Sequence, residues 1–209
     1  MFKKLKLVIA ASGFLAASVA SANAAYITDG DFSSPSGGGS FVTYNGGSMG
    51  PWSVGGSVDL IGGYWQAPSI GGGSVDMNGS GPGSLSQTAT TGAGSFLLRF
   101  SLSANPDAGL ASRTIQVSVG DALQNFTFNI LPSQTHANMN YLTETLGFHT
   151  TGATTLSFAS LTGSGPYGPV IGNVSISAVP LPASLPLFLA GLLAMAGVYH
   201  YSKKNRAIA

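Results

Sequence analysis

Hydrophobic and polar side chains alternate with a period of two in five separate runs of the chain. In the longest run, one side of the extended chain carries Phe96, Leu98, Phe100 and Leu102. Shorter runs with the same period lie at residues 115–119, 126–130, 156–158 and 174–176. Because successive side chains of a strand point to opposite faces, such runs separated by Gly, Asn, Asp and Pro predict β-strands. No helical stripe lies between residues 26 and 178, so the pattern predicts an all-β fold, an antiparallel β-sandwich.

Two segments interrupt this alternation with clusters of glycine and serine, at residues 34–50 and 69–83. Such clusters are typical of turns and loops. We therefore expect both segments to be irregular loops at one end of the sandwich, where binding sites on such folds usually lie. A purely structural spacer is the alternative for each segment.

The N-terminus has the pattern of a secretory signal peptide. Lysines at positions 3, 4 and 6 precede an apolar run at residues 7–19, and small residues follow at Ala22 and Ala24. Small residues at these positions are what signal peptidase requires around its cut. The sequence therefore predicts a signal peptide over residues 1–24, cleaved after Ala24. An uncleaved membrane anchor is the alternative, which the short apolar run disfavours.

The C-terminus carries a second hydrophobic segment. No residue between positions 183 and 202 carries a formal charge, and about 20 helical residues span about 30 Å, the thickness of a bilayer core. This predicts a single transmembrane helix over about residues 184–202. The basic tip at residues 203–209, with Lys203, Lys204 and Arg206, is expected to stay in the cytoplasm.

A proline motif directly precedes this helix. Prolines at positions 180 and 182 keep the backbone extended, because proline lacks an N–H group and restricts the residue before it. The order of motif, helix and basic tip over residues 179–209 resembles the PEP-CTERM class of bacterial sorting signals, in its VPLPA variant. The residues that carry the motif are Val179, Pro180, Leu181, Pro182 and Ala183.

The resemblance implies a Gram-negative bacterium that makes exopolysaccharide. It also implies cleavage near the proline motif by an exosortase, a membrane-embedded cysteine transpeptidase that passes the protein onward. The commoner form of the signal has glutamate at the position of Leu181. A plain C-terminal membrane anchor that is never cut is the alternative.

Residues 25–178, the passenger between the two terminal signals, are long enough for one domain with its own core. All seven acidic residues lie in the passenger against two basic ones, Arg99 and Arg113, so its formal charge is near −5. The passenger therefore lacks the basic footprint of a nucleic-acid-binding protein, and binding to anionic polymers is disfavoured. The chain has no cysteine, which excludes thiol chemistry and cysteine-ligated zinc.

An ordered series of motifs runs through the passenger. Its members are residues 29–32 (DGDF), 51–54 (PWSV), 57–60 (SVDL), 64–65 (YW), 74–79 (SVDMNG), 85–88 (LSQT), 156–158 (LSF) and 167–176 (YGPVIGNVSI). The series resembles the choice-of-anchor C family, whose members share the passenger and vary the C-terminal anchor. This resemblance implies a galactose-binding-like jelly roll.

Four passenger residues are candidates for ligand binding. Tyr64 and Trp65 could form a stacking face for sugar rings, whose apolar CH faces pack on aromatic rings. Adjacent strand residues face opposite sides, so we expect one of the two to be exposed, whereas Trp52 is expected in the core. Asp59 and Asp76 could accept hydrogen bonds from sugar hydroxyls. The alternative is that these acids only hold loops through backbone neighbours.

A structural calcium ion is the one cofactor that the resemblance suggests. Jelly rolls of this type often hold calcium near the first and last strands, and the family has acids at the positions of Ser33 and Gly172. Asp29 and Asp31 could still bind calcium together with backbone carbonyls. Structural acids of a turn are the alternative for both residues.

Catalytic patterns are absent from the passenger sequence. Its two histidines, His136 and His149, have no metalloprotease spacing, and no nucleophile elbow is present. A glycosidase could use two aspartates, but no pair is marked by its spacing. The sequence thus predicts a non-catalytic exported protein of the cell surface or exopolysaccharide matrix that binds carbohydrate weakly. The alternatives are a purely structural matrix component and a polysaccharide hydrolase.

Overall fold

The computed structural model describes residues 26–109, 111–180, 188, 191–197 and 199. Residues 26–109 and 111–180 form ten strands and a short 3-10 helix, Pro106–Ala108. The strands are β1 (Phe41–Met49), β2 (Trp52–Ile61), β3 (Ser74–Asp76), β4 (Gly83–Ala89), β5 (Ala93–Ala104), β6 (Ser112–Val119), β7 (Ala122–Asn129), β8 (Leu142–Thr151), β9 (Thr154–Ser160) and β10 (Pro169–Ala178). The predicted all-β fold of the passenger is confirmed.

Every strand pair is antiparallel, and the strands follow the order β7-β6-β9-β4-β2-β3-β10-β5-β8, with β1 paired to β2 outside this path. The end strands β7 and β8 pack near one another. The sheet therefore curls into a nearly closed barrel-like sandwich with its core inside.

The core contains the apolar positions of the period-two runs. Phe100 of β5 and Phe158 of β9 are fully buried, and their ring centroids lie 5.3 Å apart in an edge-to-face arrangement. Trp52 at the start of β2 is also fully buried, which confirms its predicted place in the core. Facing strands thus contribute large aromatic side chains to one continuous core.

The prediction of an irregular loop was wrong for Phe41–Met49, which forms β1. This strand pairs with β2 over nearly its whole length, so that the edge of β2 supplies its hydrogen-bond partners. Gly46 and Gly47 have positive φ angles of 75° and 81°, and they lie at a bulge in the pairing. The second glycine-rich segment also contains a strand, the three-residue β3. Strand pairing therefore overrides the loop-like composition of both segments.

The predicted terminal signals lie largely outside the described residues. These include the whole signal peptide with Ala22 and Ala24, and the sorting residues Leu181, Pro182, Ala183, Lys203, Lys204 and Arg206. Residues 188, 191–197 and 199 are helical. Within the part of the chain that the structure describes, no helix is long and apolar enough to cross a membrane. The transmembrane helix stays a prediction.

Candidate functional site

A pocket of about 120 Å³ lies at the end of the sheet where β2, β3 and β5 finish and β1 and β10 begin. Its walls come from these strand ends and from the loops that follow β2, β5 and β9. The lining residues are Phe41, Asp59, Ile61, Tyr64, Trp65, Asp76, Asn105, Asp107, Pro166 and Tyr167. The four residues that the sequence singled out for ligand binding, Asp59, Tyr64, Trp65 and Asp76, all lie among them.

Three aromatic side chains are exposed around this pocket. Phe41 is 45% exposed, Tyr64 38% and Tyr167 43%. The ring of Tyr64 lies 5.5 Å from that of Phe41 in an edge-to-face arrangement and 4.6 Å from the ring of His136. Exposed aromatic rings that are held by neighbours can stack against a ligand at a low cost in conformational entropy.

Trp65 is only 5% exposed, in contrast to its neighbour Tyr64. Its indole Nε1 donates a hydrogen bond to Ser74 Oγ at 2.9 Å. Its ring packs with Ile61, Met139 and Val170 in a small hydrophobic cluster. Trp65 therefore supports the pocket wall rather than offering a free stacking face, and Tyr64 is the exposed member of the pair.

Asp107 holds the rim of the pocket together. Its Oδ2 accepts a hydrogen bond from the hydroxyl of Tyr64 at 3.2 Å, and its Oδ1 lies 2.9 Å from His136 Nε2. Its backbone N–H donates to Asn105 Oδ1 at 2.9 Å, which caps the 3-10 helix. The negative charge of Asp107, followed by burial, raises the pKa of Tyr64, so the phenol stays protonated and remains a donor.

Asp76 is the fully buried acid of the pocket. Its Oδ1 accepts hydrogen bonds from the backbone N–H groups of Asn78 at 2.9 Å and Gly168 at 3.0 Å, and its Oδ2 accepts from Asn105 Nδ2 at 2.7 Å. Burial raises the pKa of Asp76 to about 7, although these hydrogen bonds lower it. A Cβ atom at residue 168 would lie 2.6 Å from Asp76 Oδ1, so this close approach requires glycine.

Asp59 lies opposite Asp76 in the pairing of β2 with β3, so the two acids are cross-strand neighbours. Its Oδ1 accepts a hydrogen bond from Thr43 Oγ1 at 2.6 Å, and burial raises its pKa. No hydrogen bond from the described residues reaches Asp59 Oδ2. This oxygen is therefore available to a ligand.

Asp29 and Asp31 lie in the turn that opens the domain. Asp29 Oδ1 accepts a hydrogen bond from the backbone N–H of Ser34 at 3.0 Å, and Asp31 Oδ1 accepts from Ser33 Oγ at 3.0 Å. Among the described residues, no group of three or more His, Cys, Asp or Glu side chains is placed to hold a metal ion. These contacts fit acids that stabilise a turn, and calcium binding by Asp29 and Asp31 stays a prediction.

Sequence reasoning missed six of the ten residues that line the pocket. The residues that it did not single out as ligands are Phe41, Ile61, Asn105, Asp107, Pro166 and Tyr167, and it gave no binding role to the neighbouring His136. They come from strand ends and loops that are far apart in the sequence and meet only in the folded sheet. The one available signal was the presence of Phe and Tyr in loops rich in Gly, Ser and Pro, where a core role is not expected.

The structure resembles several carbohydrate-binding modules at low similarity. A native family 35 module from Clostridium thermocellum has 16% identity and a TM-score of 0.44, covering 66% of this chain and 92% of that chain. A CBM35 from Paenibacillus barcinonensis has 16% identity and a TM-score of 0.41, covering 66% and 99%. TmCBM61, solved with β-1,4-galactotriose, has 12% identity and a TM-score of 0.40, covering 75% and 99%. At these scores the likeness says nothing by itself about a ligand of this chain.

No curated protein matches the chain. One family model does, and its description is "Protein of unknown function (DUF642)". The match extends over residues 25–177, which is almost the whole passenger between the two predicted terminal signals. The chain therefore belongs to the DUF642 family.

Proposed function

We propose that this protein is a non-catalytic, exported carbohydrate-binding protein and that the pocket at the end of the sheet is its binding site. The observation that carries the proposal is the combination of exposed aromatic rings with hydrogen-bond acceptors in one pocket. Tyr64 and Phe41 offer rings for the CH faces of a sugar, and Asp59 offers a carboxylate oxygen for its hydroxyls. Sites for small ligands typically have mostly apolar walls and a small number of polar groups that point at the ligand.

The size of the pocket supports weak binding. Its volume of about 120 Å³ is well below the roughly 300–1,000 Å³ of sites that enclose a whole ligand. Only part of one sugar residue enters such a pocket, and the rest of a glycan lies over the exposed rings. Little surface is then removed from water, so a modest affinity is expected.

The hydrogen bonding of Asp76 supports a binding role over hydrolysis. Glycosidases commonly use two carboxyl groups that both reach the scissile bond. Both oxygens of the fully buried Asp76 are held by N–H donors of the protein, which leaves Asp59 as the acid of this pair with a free oxygen. One free carboxylate suits recognition of a hydroxyl.

Replacing Tyr64 by alanine is expected to weaken glycan binding about tenfold, because the sugar loses its exposed stacking ring. The measurement is a glycan array with the purified protein, followed by calorimetry on the best glycan. Tyr64→Phe keeps the ring and removes the hydrogen bond to Asp107, so it should retain most of the affinity.

The control for this test is Leu123→Ala, which changes an exposed residue of β7 that does not line the pocket. Binding that survives Tyr64→Ala would place the site elsewhere. An array without any bound glycan would favour a purely structural matrix component. Turnover of a polysaccharide would favour a hydrolase.

We further propose that the terminal sequences export and sort the protein. Signal peptidase removes residues 1–24, and an exosortase cuts near residues 179–183, so that the passenger reaches the cell surface or the exopolysaccharide matrix of a Gram-negative bacterium. The supporting observations are the terminal sequence patterns. Assignment to the choice-of-anchor C family and to the galactose-binding-like jelly rolls belongs to the same proposal.

Replacing both Pro180 and Pro182 by alanine is expected to leave the protein uncut in the inner membrane, because the extended motif that the exosortase reads is lost. The basic tip should still stop translocation, since each charge costs about 2.5–3.5 kcal/mol at the bilayer centre. The measurement is fractionation of cells that carry a tagged passenger, with and without the exosortase.

Pro132→Ala, a change of an exposed proline after β7, serves as the control and should be processed normally. The sorting proposal fails if the helix-bearing chain accumulates equally in both strains. In that case the C-terminal segment is only an anchor.

A further inference from the structure

We propose that this pocket selects a sugar residue that carries a free, positively charged amino group. The inference rests on the proposed carbohydrate-binding function and names the class of glycan. Its starting point is the charge of the lining residues: the pocket has the acids Asp59 and Asp107 and no lysine or arginine. The buried Asp76, whose pKa burial raises to about 7, adds a partial negative charge near neutral pH.

The basic residues of the passenger do not offset this negative charge. The passenger as a whole has seven acidic residues and only two basic ones, and it contains no lysine. Arg113 lies in a separate cleft beyond Tyr167, where its Nη1 donates to the backbone oxygen of Ser112 at 3.0 Å. His136 lies beside the pocket, and its Nε2 is already engaged with Asp107 Oδ1 at 2.9 Å. A uronic acid would therefore meet repulsion, and an ammonium group would meet attraction.

The aromatic rings favour a cation as well. A cation is attracted to the face of an aromatic ring, and ammonium groups are commonly bound between several such rings. Phe41, Tyr64 and Tyr167 are exposed around the same pocket as the carboxylates. The rings that would stack on the sugar can thus also contact its amino group.

The acceptor for this amino group is an oxygen of Asp59, which lies beside a rigidly held acid. Asp76 is fully buried and oriented by three N–H donors. Its cross-strand neighbour Asp59 has one oxygen tied to Thr43 and the other without a partner among the described residues. An ammonium group has three donors, so it can use the free oxygen of Asp59 and leave two donors for water or the glycan.

The arrangement suits an ammonium ion better than a divalent metal ion. Calcium takes six to eight oxygen ligands, several of them carboxylates. Within residues 26–109 and 111–180, the acids and histidines do not form any group of three that could hold a metal ion. The pocket instead offers one free carboxylate oxygen together with aromatic rings.

The test compares three hexasaccharides by calorimetry with the purified protein near neutral pH and low salt. They are the β-1,4-glucosamine hexamer, its N-acetylated counterpart with the same backbone, and the α-1,4-galacturonic acid hexamer with and without calcium. We expect the glucosamine hexamer to bind at least tenfold more tightly than the N-acetylated one. Added salt should shrink this difference, because it screens the charge interaction.

Asp59→Asn is expected to lower the affinity for the glucosamine hexamer about tenfold and that for the N-acetylated hexamer clearly less, because asparagine still accepts a hydrogen bond from a sugar hydroxyl but carries no charge. Asparagine keeps an acceptor for Thr43, so the strand pairing is retained. The control is Asp121→Asn, which changes an exposed acid outside the pocket. The salt dependence of the wild-type protein provides a second test that does not depend on the folding of a variant.

Equal binding of the two glucosamine-based hexamers, lost together in Tyr64→Ala, would overturn this inference and leave the proposed carbohydrate binding intact. Tighter binding of the galacturonic acid hexamer, with or without calcium, would also overturn it. Binding of neutral array glycans but of none of the three hexamers would do the same. Absence of binding to any glycan would overturn both the inference and the proposed function.

Discussion

Replacing Trp52 by alanine is expected to lower the free energy of unfolding by about 3–5 kcal/mol. The side chain is fully buried, and its ring lies 5.4 Å from that of Phe32 and 6.3 Å from that of Phe158. Its Nε1 also donates a hydrogen bond to the backbone oxygen of Asp29 at 3.0 Å. The change therefore opens a cavity and releases the turn that begins the domain. Typical domains are stable by about 5–15 kcal/mol, so this loss is a large share of the total.

The measurement is urea unfolding followed by circular dichroism, because Trp52 itself contributes to fluorescence. Trp52→Phe keeps most of the buried ring and loses the hydrogen bond to Asp29, so it should cost clearly less. Tyr64→Ala removes an exposed ring and should change the stability by less than about 1 kcal/mol. A loss of that small size for Trp52→Ala would contradict its place in the core.

The wild-type protein is expected to lose stability as the pH rises from about 4 to 7, because of Asp76. The ordinary pKa of this carboxyl group is 3.8, and burial raises it to about 7 in the folded protein. The folded state therefore binds more protons than the unfolded state in this interval, and stability falls as the pH increases. About three pKa units correspond to about 4 kcal/mol, most of which is lost by pH 7 and the rest within about one further pH unit.

Urea unfolding of the wild type and Asp76→Asn across this pH range measures the effect. Asparagine cannot ionise, but its Nδ2 would face the Nδ2 of Asn105, so the variant is expected to be less stable at low pH. The informative quantity is the difference between the two proteins as a function of pH. Burial also raises the pKa of Asp29 and Asp59, but both residues are present in both proteins. Parallel stability curves would contradict the raised pKa of Asp76.

Asp121→Asn is the matched control for this experiment. Asp121 is exposed, and its Oδ1 accepts a hydrogen bond from the backbone N–H of His149 at 2.7 Å, which asparagine can also accept. The free energy of unfolding of this variant should fall between pH 4 and 7 by about as much as that of the wild type, so the difference between the two proteins should stay nearly constant. If the difference between the wild type and Asp121→Asn changed with pH as much as the difference for Asp76→Asn, the pH dependence would not report on Asp76.

The period-two pattern was sufficient to locate strands that bury one face. Runs at residues 96–102 and 115–119 correspond to β5 and β6, and those at 126–130, 156–158 and 174–176 to β7, β9 and β10. In each run the bulky apolar side chains point into the core, so burial itself imposes the alternation. This signal is local, so it can be recognised in the sequence of one strand even when its partner strands are unknown.

The same reasoning failed for β1 because most of its side chains are exposed on both faces. An exposed edge strand has no buried face and hence no alternation to detect. Phe41–Met49 is a strand because the edge of β2 offers backbone partners at this position. That information lies in β2 and in the pairing, and not in the composition of β1.

Some features of the candidate site could likewise be predicted from the sequence, and others depend on the folded structure. The sequence by itself determined the all-β class, the acidic charge of the passenger, and the choice of Asp59, Tyr64, Trp65 and Asp76 as candidate ligands. Only the tertiary structure decided that Tyr64 is exposed while Trp65 is buried, and that Asp59 lies opposite Asp76. It also brought Asp107 to the hydroxyl of Tyr64, 43 residues away in the chain. The physical reason is that residue type sets what a side chain can do, whereas strand register and loop packing set which side chains meet.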